Sequence, residues 1–324
     1  MENILVTGGA GFIGSHLCEA LLKDDYTVYV IDNMSPYYSV ELKQSNLNRL
    51  KSVATGRLTF IEADICDKER MESFFTDHSI DVVVHLAACA GVRPSIEDPL
   101  LYVDVNIQGT ANILECMKKS GVAKMVFASS SSVYGDSSGG PLHESANVDK
   151  PISPYAATKK ACELICHTYH HLYDMNIACL RFFTVYGPCQ RPDLAIHKFT
   201  KLLYANKPLP FYGDGSMSRD YTYISDTVGG VLKALDWVCS SQKRFDIFNL
   251  GENHTISLSQ MVETLEECSG RKAILNRLPQ QPGDVNTTFA DITKAKEVLG
   301  YNPGVDFKTG ITKFIQWFED DLHR

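Results

Sequence analysis

Tyr155 and Lys159 stand four residues apart in Tyr155-Ala156-Ala157-Thr158-Lys159, inside a stretch that reads as helix. That spacing puts a phenol and an ammonium on one helical face. A phenol is a poor base at neutral pH. A neighbouring ammonium favours the phenolate, which suits Tyr155 to take a proton from a hydroxyl. The pattern is common by chance, and its weight comes from what lies upstream. The run Ala128-Ser129-Ser130-Ser131-Ser132-Val133-Tyr134-Gly135 follows an apolar stretch read as a strand. Serines at the C-terminal end of a parallel strand lie where such sheets place their chemistry. A hydroxyl of this run, assigned to Ser130 with Ser131 and Ser132 as alternatives, can hydrogen-bond the oxygen that loses its proton.

A second pattern supplies a partner for that chemistry. Thr7-Gly8-Gly9-Ala10-Gly11-Phe12-Ile13-Gly14 follows a short apolar run and opens an amphipathic stretch. Its spacing, G-x-x-G-x-x-G, is one residue wider than the usual Rossmann fingerprint. Glycine permits the tight turn and lets backbone approach a pyrophosphate. The helix N-terminus beginning at Phe12 and Ile13 then offers unpaired N–H groups to the phosphates. Asp32 ends the second strand, about 20 residues further on, where a carboxylate accepts from ribose hydroxyls and repels a 2′-phosphate. NAD is therefore expected rather than NADP. Asn33 beside Asp32, then Asp64-Ile65 after the third strand, are expected along the cofactor, the latter pair at the adenine. Leu86-Ala87-Ala88 ends the fourth strand with small residues where backbone must approach it. No pattern suggests a metal.

These residues need a sheet to hold them. Strand candidates at 4–7, 27–32, 58–63, 82–86, 125–129 and 177–182 alternate with helices beginning near Phe12, Asp67, Pro99 and Ser153. Such alternation predicts an α/β fold, a Rossmann-type doubly wound parallel sheet. Between Asn33 and Gly56, Val40, Leu47, Leu50 and Val53 recur at helical spacing and predict an extra surface helix. Beyond about Tyr186, Pro188, Pro192, Pro208, Pro210, Gly213 and Gly215 punctuate short elements. Helices are expected there from about Leu194, Asp226, Leu258, Asp291 and Phe307. The division predicted is a cofactor domain at 1–185 and a smaller mixed α/β substrate lobe at 186–324, with some interleaving of chain. A cleft between them is the expected substrate site.

Composition narrows the partners. With 324 residues, 44% of them hydrophobic and 22% charged, the chain is an ordinary globular protein. A net charge of −8 offers no excess cation for a duplex nucleic acid, and a small anionic ligand needs only a local positive pocket. No apolar stretch approaches the roughly 18 residues of a membrane span. No secretory signal is read at the start, and the ten cysteines contain no C-x-x-C pair, so a cytoplasmic setting is expected. Cys162 and Cys166, one helical turn apart, read as small packing side chains.

Gly8/Gly11/Gly14, the serine run and Tyr155 with Lys159 together resemble the extended short-chain dehydrogenase/reductase family over nearly the whole chain. Further matches are Asn106 in Val105-Asn106-Ile107-Gln108-Gly109-Thr110, the run from Arg181 to Pro188, and Arg219-Asp220-Tyr221-Thr222-Tyr223-Ile224. The resemblance implies a tightly held NAD, with Asn106 beside it, and a nucleotide diphosphate sugar in the second lobe. Arg219 would then pair with the diphosphate, as a guanidinium fork suits. Asp284 is implied as a further substrate contact, and helices near 99–118 and 153–174 as the face of a homodimer. The dehydratases and decarboxylases resembling this chain carry carboxyl groups where Ser131 and Ser132 stand, and a hydroxyl is a poor substitute in proton transfer. Epimerisation at sugar carbon 4 remains. Ala90-Gly91-Val92-Arg93-Pro94-Ser95 and Gly187-Pro188-Cys189-Gln190-Arg191-Pro192-Asp193 resemble the UDP-glucuronate 4-epimerases, with a UDP-glucose or UDP-N-acetylhexosamine 4-epimerase as the alternative. By that resemblance Arg93, Thr184 and Arg191 touch substrate, Arg191 with Ser131, Ser132 and Thr184 clamping the sugar carboxylate.

Overall fold

Alternate residues of the first strand face opposite ways. Ile4 and Val6 of β1 (Asn3–Thr7) enter one apolar core and Leu5 enters another. A strand buried on both faces needs a helical layer on each side. The computed structural model, which describes residues 2–54, 56–136, 140–240, 243–279 and 287–322, supplies both layers.

The first half continues with α1 (Phe12–Lys23), β2 (Thr27–Asp32), α2 (Val40–Val53), β3 (Leu58–Glu62), α3 (Lys68–Asp77) and β4 (Val82–His85). Next come α4 (Val92–Glu97), α5 (Pro99–Tyr102), a π-helical segment (Val103–Gln108) and α6 (Gly109–Ser120). Then follow β5 (Lys124–Ser130), a 3₁₀ turn (Ser131–Tyr134), α7 (Pro154–Tyr173) and β6 (Asn176–Phe182). The second half holds β7 (Thr184–Tyr186), α8 (Ala195–Tyr204), β8 (Leu209–Tyr212), β9 (Ser218–Arg219), β10 (Tyr221–Tyr223) and α9 (Ile224–Val238). It ends with β11 (Phe245–Leu250), β12 (Ile256–Ser257), α10 (Leu258–Ser269), β13 (Leu275–Leu278), β14 (Thr287–Thr288), α11 (Thr293–Leu299) and α12 (Phe307–Leu322).

Seven strands form one parallel sheet in the order β11-β6-β5-β4-β1-β2-β3. The fold is the expected doubly wound α/β sheet. Strand order reverses between β1 and β4, which opens a crevice at their C-terminal ends. Helices α3, α6 and α7 cover one face through Phe74, Ile113 and Cys162. Helices α1 and α9 cover the other, where Leu17 and Val231 join a core that continues to Phe314 of α12. Cys162 and Cys166 are both buried in the first of these layers, as their spacing suggested.

Three elements differ from expectation. The helix read from Pro99 is broken into α5, a π-helical turn and α6, with the short α4 before it; the wider turn carries buried Asn106 to the segment after β4. Strand β11 returns from the second half to complete the sheet beside β6, although its sequence had not been read as a strand. The interior of α2 also differs from a plain surface helix, because Lys43 and Asn46 are buried with Leu47 and Leu50.

Asp220 ties the second lobe together. Its carboxylate accepts from the main-chain N–H of Glu252 (2.7 Å), Ala290 (3.0 Å) and Asn253 (3.1 Å). Burial still pushes that carboxyl up to about 6. Nearby Glu252 is pushed up to about 8, first by burial and then by Asp226 and Asp220. An unfolded glutamate titrates near 4.3, so between about pH 4.3 and 8 the folded chain binds this proton more tightly. The contribution to stability is therefore full at the acidic end of that window and is lost as pH rises through the folded value. Glu252→Gln is expected to flatten the fall in melting temperature between about pH 5 and 8. Thermal unfolding across that range checks it, and parallel curves for variant and parent would contradict the assignment.

Candidate active site

The glycine loop is shaped by close approach. Gly8 has φ +72°, and a Cβ there would sit 2.8 Å from the Ala87 nitrogen, so the β1 and β4 turns touch through bare backbone. A Cβ on Gly14 would meet the Gly8 carbonyl oxygen at 2.3 Å. Gly11 is the N-cap of α1 and makes no side-chain cap of its own, Phe12 and Ile13 begin the helix, and the Tyr38 phenol lies against this end. The loop thus sets the N-terminus of α1 beside a cradle only glycine allows. Asp32 is buried and already holds that loop: it accepts from Ala10 N–H (3.2 Å), Met34 N–H (3.0 Å) and Lys43 Nζ (3.4 Å). Lys43, with Asn46, is a polar exception on the inner face of α2, a signal by which it could have been found.

Around this cradle the expected cofactor residues converge. Asn33 donates to Asp64 (2.8 Å), and Asp64 accepts from Cys66 N–H (2.8 Å). Burial raises the Asp64 carboxyl, but those two hydrogen bonds outweigh it and hold it below its ordinary value. Ile65 packs so tightly on Gly109 that a Cβ there would lie 2.6 Å away. Leu86 and Ala87 N–H both donate to Thr7, through its carbonyl and its hydroxyl, and Ala88 follows in the same partly buried turn. His85 hydrogen-bonds Thr7 and Thr110, and its pKa falls to about 3 because burial, and next the Lys159 charge, disfavour the imidazolium.

Helix α7 carries the reactive pair. Ser153 caps it by accepting from Ala156 N–H (3.1 Å), with Pro154 preset for the first turn. Tyr155 is partly buried in the second turn position, edge-on to Tyr102 with ring centroids 6.1 Å apart. Lys159 is buried and donates to the Ala128 carbonyl at 2.7 Å. One turn on, Glu163 accepts from Ser129 Oγ (2.6 Å) and forms a two-bond pair with buried Arg181, both at 2.8 Å. Asn106 accepts from Cys89 N–H (2.8 Å) and donates to Cys89 O and Thr158 Oγ1, both at 3.0 Å. At the end of β5, Ser130 accepts from Ser132 N–H (3.2 Å) and lies 3.1 Å from its hydroxyl. Ser131 and Ser132 stand in the following 3₁₀ turn, partly exposed.

On the opposite wall, Arg191 pairs with Asp193 through Nε (3.0 Å) and Nη2 (2.8 Å). Burial works against its charge, but Asp193 and the phenols of Tyr37 and Tyr155 outweigh that and raise its pKa. Arg191 and Tyr155 therefore share one electrostatic neighbourhood. Thr184 begins β7 opposite Tyr221, and its N–H donates to Asp220 O (3.1 Å), which puts it close to Arg219 on β9. Arg93 lies exposed on α4. Asp284 falls outside the described residues. Among the described residues no cluster could hold a metal ion.

The comparisons with known proteins agree with this geometry. A family model described as GDP-mannose 4,6 dehydratase matches residues 5–314. The chain belongs to that family. Within it, the chain is 44% identical over 323 residues to a UDP-glucuronate 4-epimerase of Thermodesulfobacterium geofontis, covering 99% of this chain and 98% of that one. A UDP-glucuronic acid 4-epimerase from Bacillus cereus, solved with UDP-glucuronic acid and NAD, superposes with a TM-score of 0.90. It shares 40% identity over 98% of this chain and 99% of the other. The UDP-glucose 4-epimerase of Thermotoga maritima, solved with UDP-glucose, shares 35% identity over 99% of each chain with a TM-score of 0.89. The chain is thus a short-chain-dehydrogenase-type nucleotide-sugar epimerase.

The Glu163–Arg181 pair was not picked out from sequence as an ion pair, since its members are 18 residues apart on different elements. Removing Arg181 leaves buried Glu163 with only the partly exposed Lys160, 3.6 Å away, as a counter-charge, and breaking a buried pair in this way costs about 3–5 kcal/mol. Arg181→Met is expected to lose stability on that order in chemical denaturation, and adding Glu163→Met to recover much of it. Equal stability of Arg181→Met and parent would contradict the pair's role.

Proposed function

We propose that this protein is an NAD-dependent epimerase that inverts carbon 4 of UDP-glucuronate to give UDP-galacturonate. The observation that carries the substrate choice is the charged, largely buried Arg191 within electrostatic reach of Tyr155. A hexose with only a hydroxymethyl at carbon 6 has no use for a cation there, whereas a uronate carboxylate is its natural partner.

The glycine cradle and the backbone approach at Gly8 fit a dinucleotide, with Asp32, Asn33, Asp64, Ile65, Leu86, Ala87, Ala88 and Asn106 along its length. Bound there, NAD supplies a hydride acceptor at carbon 4 that afterwards gives the hydride back. Tyr155 takes the O4 proton and later returns it. Lys159, anchored at Ala128, holds its amine one helical turn from that phenol. Ser130 hydrogen-bonds O4, and its own contact with the Ser132 N–H fixes where its hydroxyl sits. Arg219 meets the diphosphate, and Arg93 and Thr184 complete the substrate contacts, with Asp284 as a further one. Arg191, Ser131, Ser132 and Thr184 hold the carboxylate. That restraint matters because a 4-keto uronic acid is a β-keto acid, which loses CO₂ when its carboxylate stands perpendicular to the carbonyl plane. With no carboxyl at Ser131 or Ser132, the site has no strong acid or base to take the keto sugar toward dehydration.

The chain is proposed to work as a homodimer. Ile96, Leu100 and Val103 on the α4–α5–π run, with Leu164 and Leu172 on α7, leave apolar side chains exposed over elements that pack side by side. Among the described residues no helix is long and apolar enough to cross a membrane. All ten cysteines are free thiols, which supports a cytoplasmic setting.

Purified protein given UDP-glucuronate without added NAD is expected to form UDP-galacturonate. Tyr155→Phe should lower kcat by about 10²-fold or more while the protein keeps its dinucleotide. Arg191→Ala should release CO₂ and a UDP-pentose from the same substrate. Normal turnover by Tyr155→Phe, or turnover of UDP-glucose in preference to the uronate, would overturn the reading.

A further inference from the structure

The loop after β2 sends Tyr37 across the site, in a segment that neither the cofactor cradle nor the catalytic helix contains. Its ring lies under the Arg191 guanidinium, 5.4 Å from centroid to the central carbon. Its hydroxyl donates to the Ala90 carbonyl at 2.7 Å, and Tyr102 donates to the same oxygen at 3.0 Å. The fit is close: a Cβ on Gly91, which has φ +113°, would come within 3.0 Å of the Tyr37 oxygen.

Segment 89–91 is itself immobilised from the side of the reacting centre. Asn106 grips both the N–H and the carbonyl of Cys89 and reaches Thr158, which lies between Tyr155 and Lys159 on α7. Tyr102 meets the Tyr155 ring edge-on. A continuous path of contacts therefore joins the catalytic helix to Tyr37, and Tyr37 to the face of Arg191.

Asp193 alone does not define the plane of Arg191. It sits two residues away in the same loop, and its side chain is 48% exposed against 16% for Arg191. A pair so close in sequence can swing as a unit. Stacking on a ring anchored to a different segment removes that freedom, because the cation–π attraction favours one face and one distance.

We infer that Tyr37 is a positioning residue for Arg191 and so sets how much of the 4-keto uronate is lost as CO₂ rather than returned as epimer. The inference rests on the uronate reading above. In the losing branch the C5–C6 bond breaks and its electron pair passes into the C4 carbonyl as an enolate. CO₂ leaves, C5 takes a proton, and C4 regains the hydride it had given up, leaving a UDP-pentose. The branch needs no added oxidant or reductant, and only the orientation of the carboxylate governs entry to it.

The test compares the full-length parent, Tyr37→Leu, Tyr37→Phe and Arg191→Ala, each incubated with UDP-glucuronate, and measures the ratio of UDP-pentose to UDP-galacturonate. Retained dinucleotide and melting temperature are recorded for each. Tyr37→Leu is expected to raise the ratio about two- to fivefold, the size of one lost cation–π contact, without loss of dinucleotide. Tyr37→Phe keeps the ring and should stay nearer the parent. A mere defect in folding would lower both products together and leave their ratio alone. An unchanged ratio in Tyr37→Leu, or a larger rise in Tyr37→Phe than in Tyr37→Leu, overturns the assignment while Arg191→Ala still shifts the products. If Arg191→Ala leaves the ratio unchanged, or the parent does not act on UDP-glucuronate, the uronate reading itself falls and the role of Tyr37 falls with it.

Discussion

Two successive turns of α7 grip two successive residues of β5, and the placement of the reactive groups depends on that grip. Lys159 holds the Ala128 carbonyl, and Glu163 holds the Ser129 hydroxyl. Tyr155, Lys159 and Glu163 are spaced by four, so all three lie on one face of the helix. Once the lower two are fixed to the strand, the height and rotation of Tyr155 on the same helix face follow. Arg181 makes the lock rigid: its two bonds to Glu163 fix a carboxylate that could otherwise rotate, and Tyr134 lies over the guanidinium at 4.7 Å. Arg181 stands on β6, the neighbour of β5, so strand, strand and helix meet at a single carboxylate.

The crevice above them is kept open by different means. The turns after β1 and β4 approach so closely that Gly8 can carry no side chain, while Thr7, His85 and Thr110 link β1, β4 and α6 beneath. His85 does this as a neutral ring, since burial and the Lys159 charge both oppose its protonation. A charged imidazole there would add a second cation below the site.

Most of the cofactor half was legible because its signals are local. A glycine triplet, a strand-terminal Asp and a Tyr–Lys pair each sit within a few residues and carry their own geometric meaning. What escaped was non-local or lacked periodicity. Lys43 belongs to a helix whose apolar spacing suggested only a surface element, and its partner Asp32 lies across the loop. The π-helical turn at Val103–Gln108 changes the register of a run that reads as ordinary helix, and nothing in residue type marks it. Strand β11 finds its place only because β6 offers an open edge, which pairing decides and propensity does not. Tyr37 and Arg191 are brought together from loops more than 150 residues apart.

The choice between outcomes on one scaffold then reduces to what surrounds a keto sugar. Members of this family with a carboxyl at the position of Ser131 or Ser132 can move protons at carbons 5 and 6. Here hydroxyls stand in both places, so these two positions offer hydrogen bonds and no strong acid or base. A lone cation would favour the carboxylate in any orientation, because Coulomb attraction has little angular preference. On the proposed reading, orientation comes from the flat fork of Arg191 and from neutral donors with fixed directions. Asp193 tempers the cation by taking two of its five donors before substrate arrives. What remains is a directional contact strong enough to aim a carboxylate and weak enough to release it, which is what a reversible epimerisation requires of its binding site.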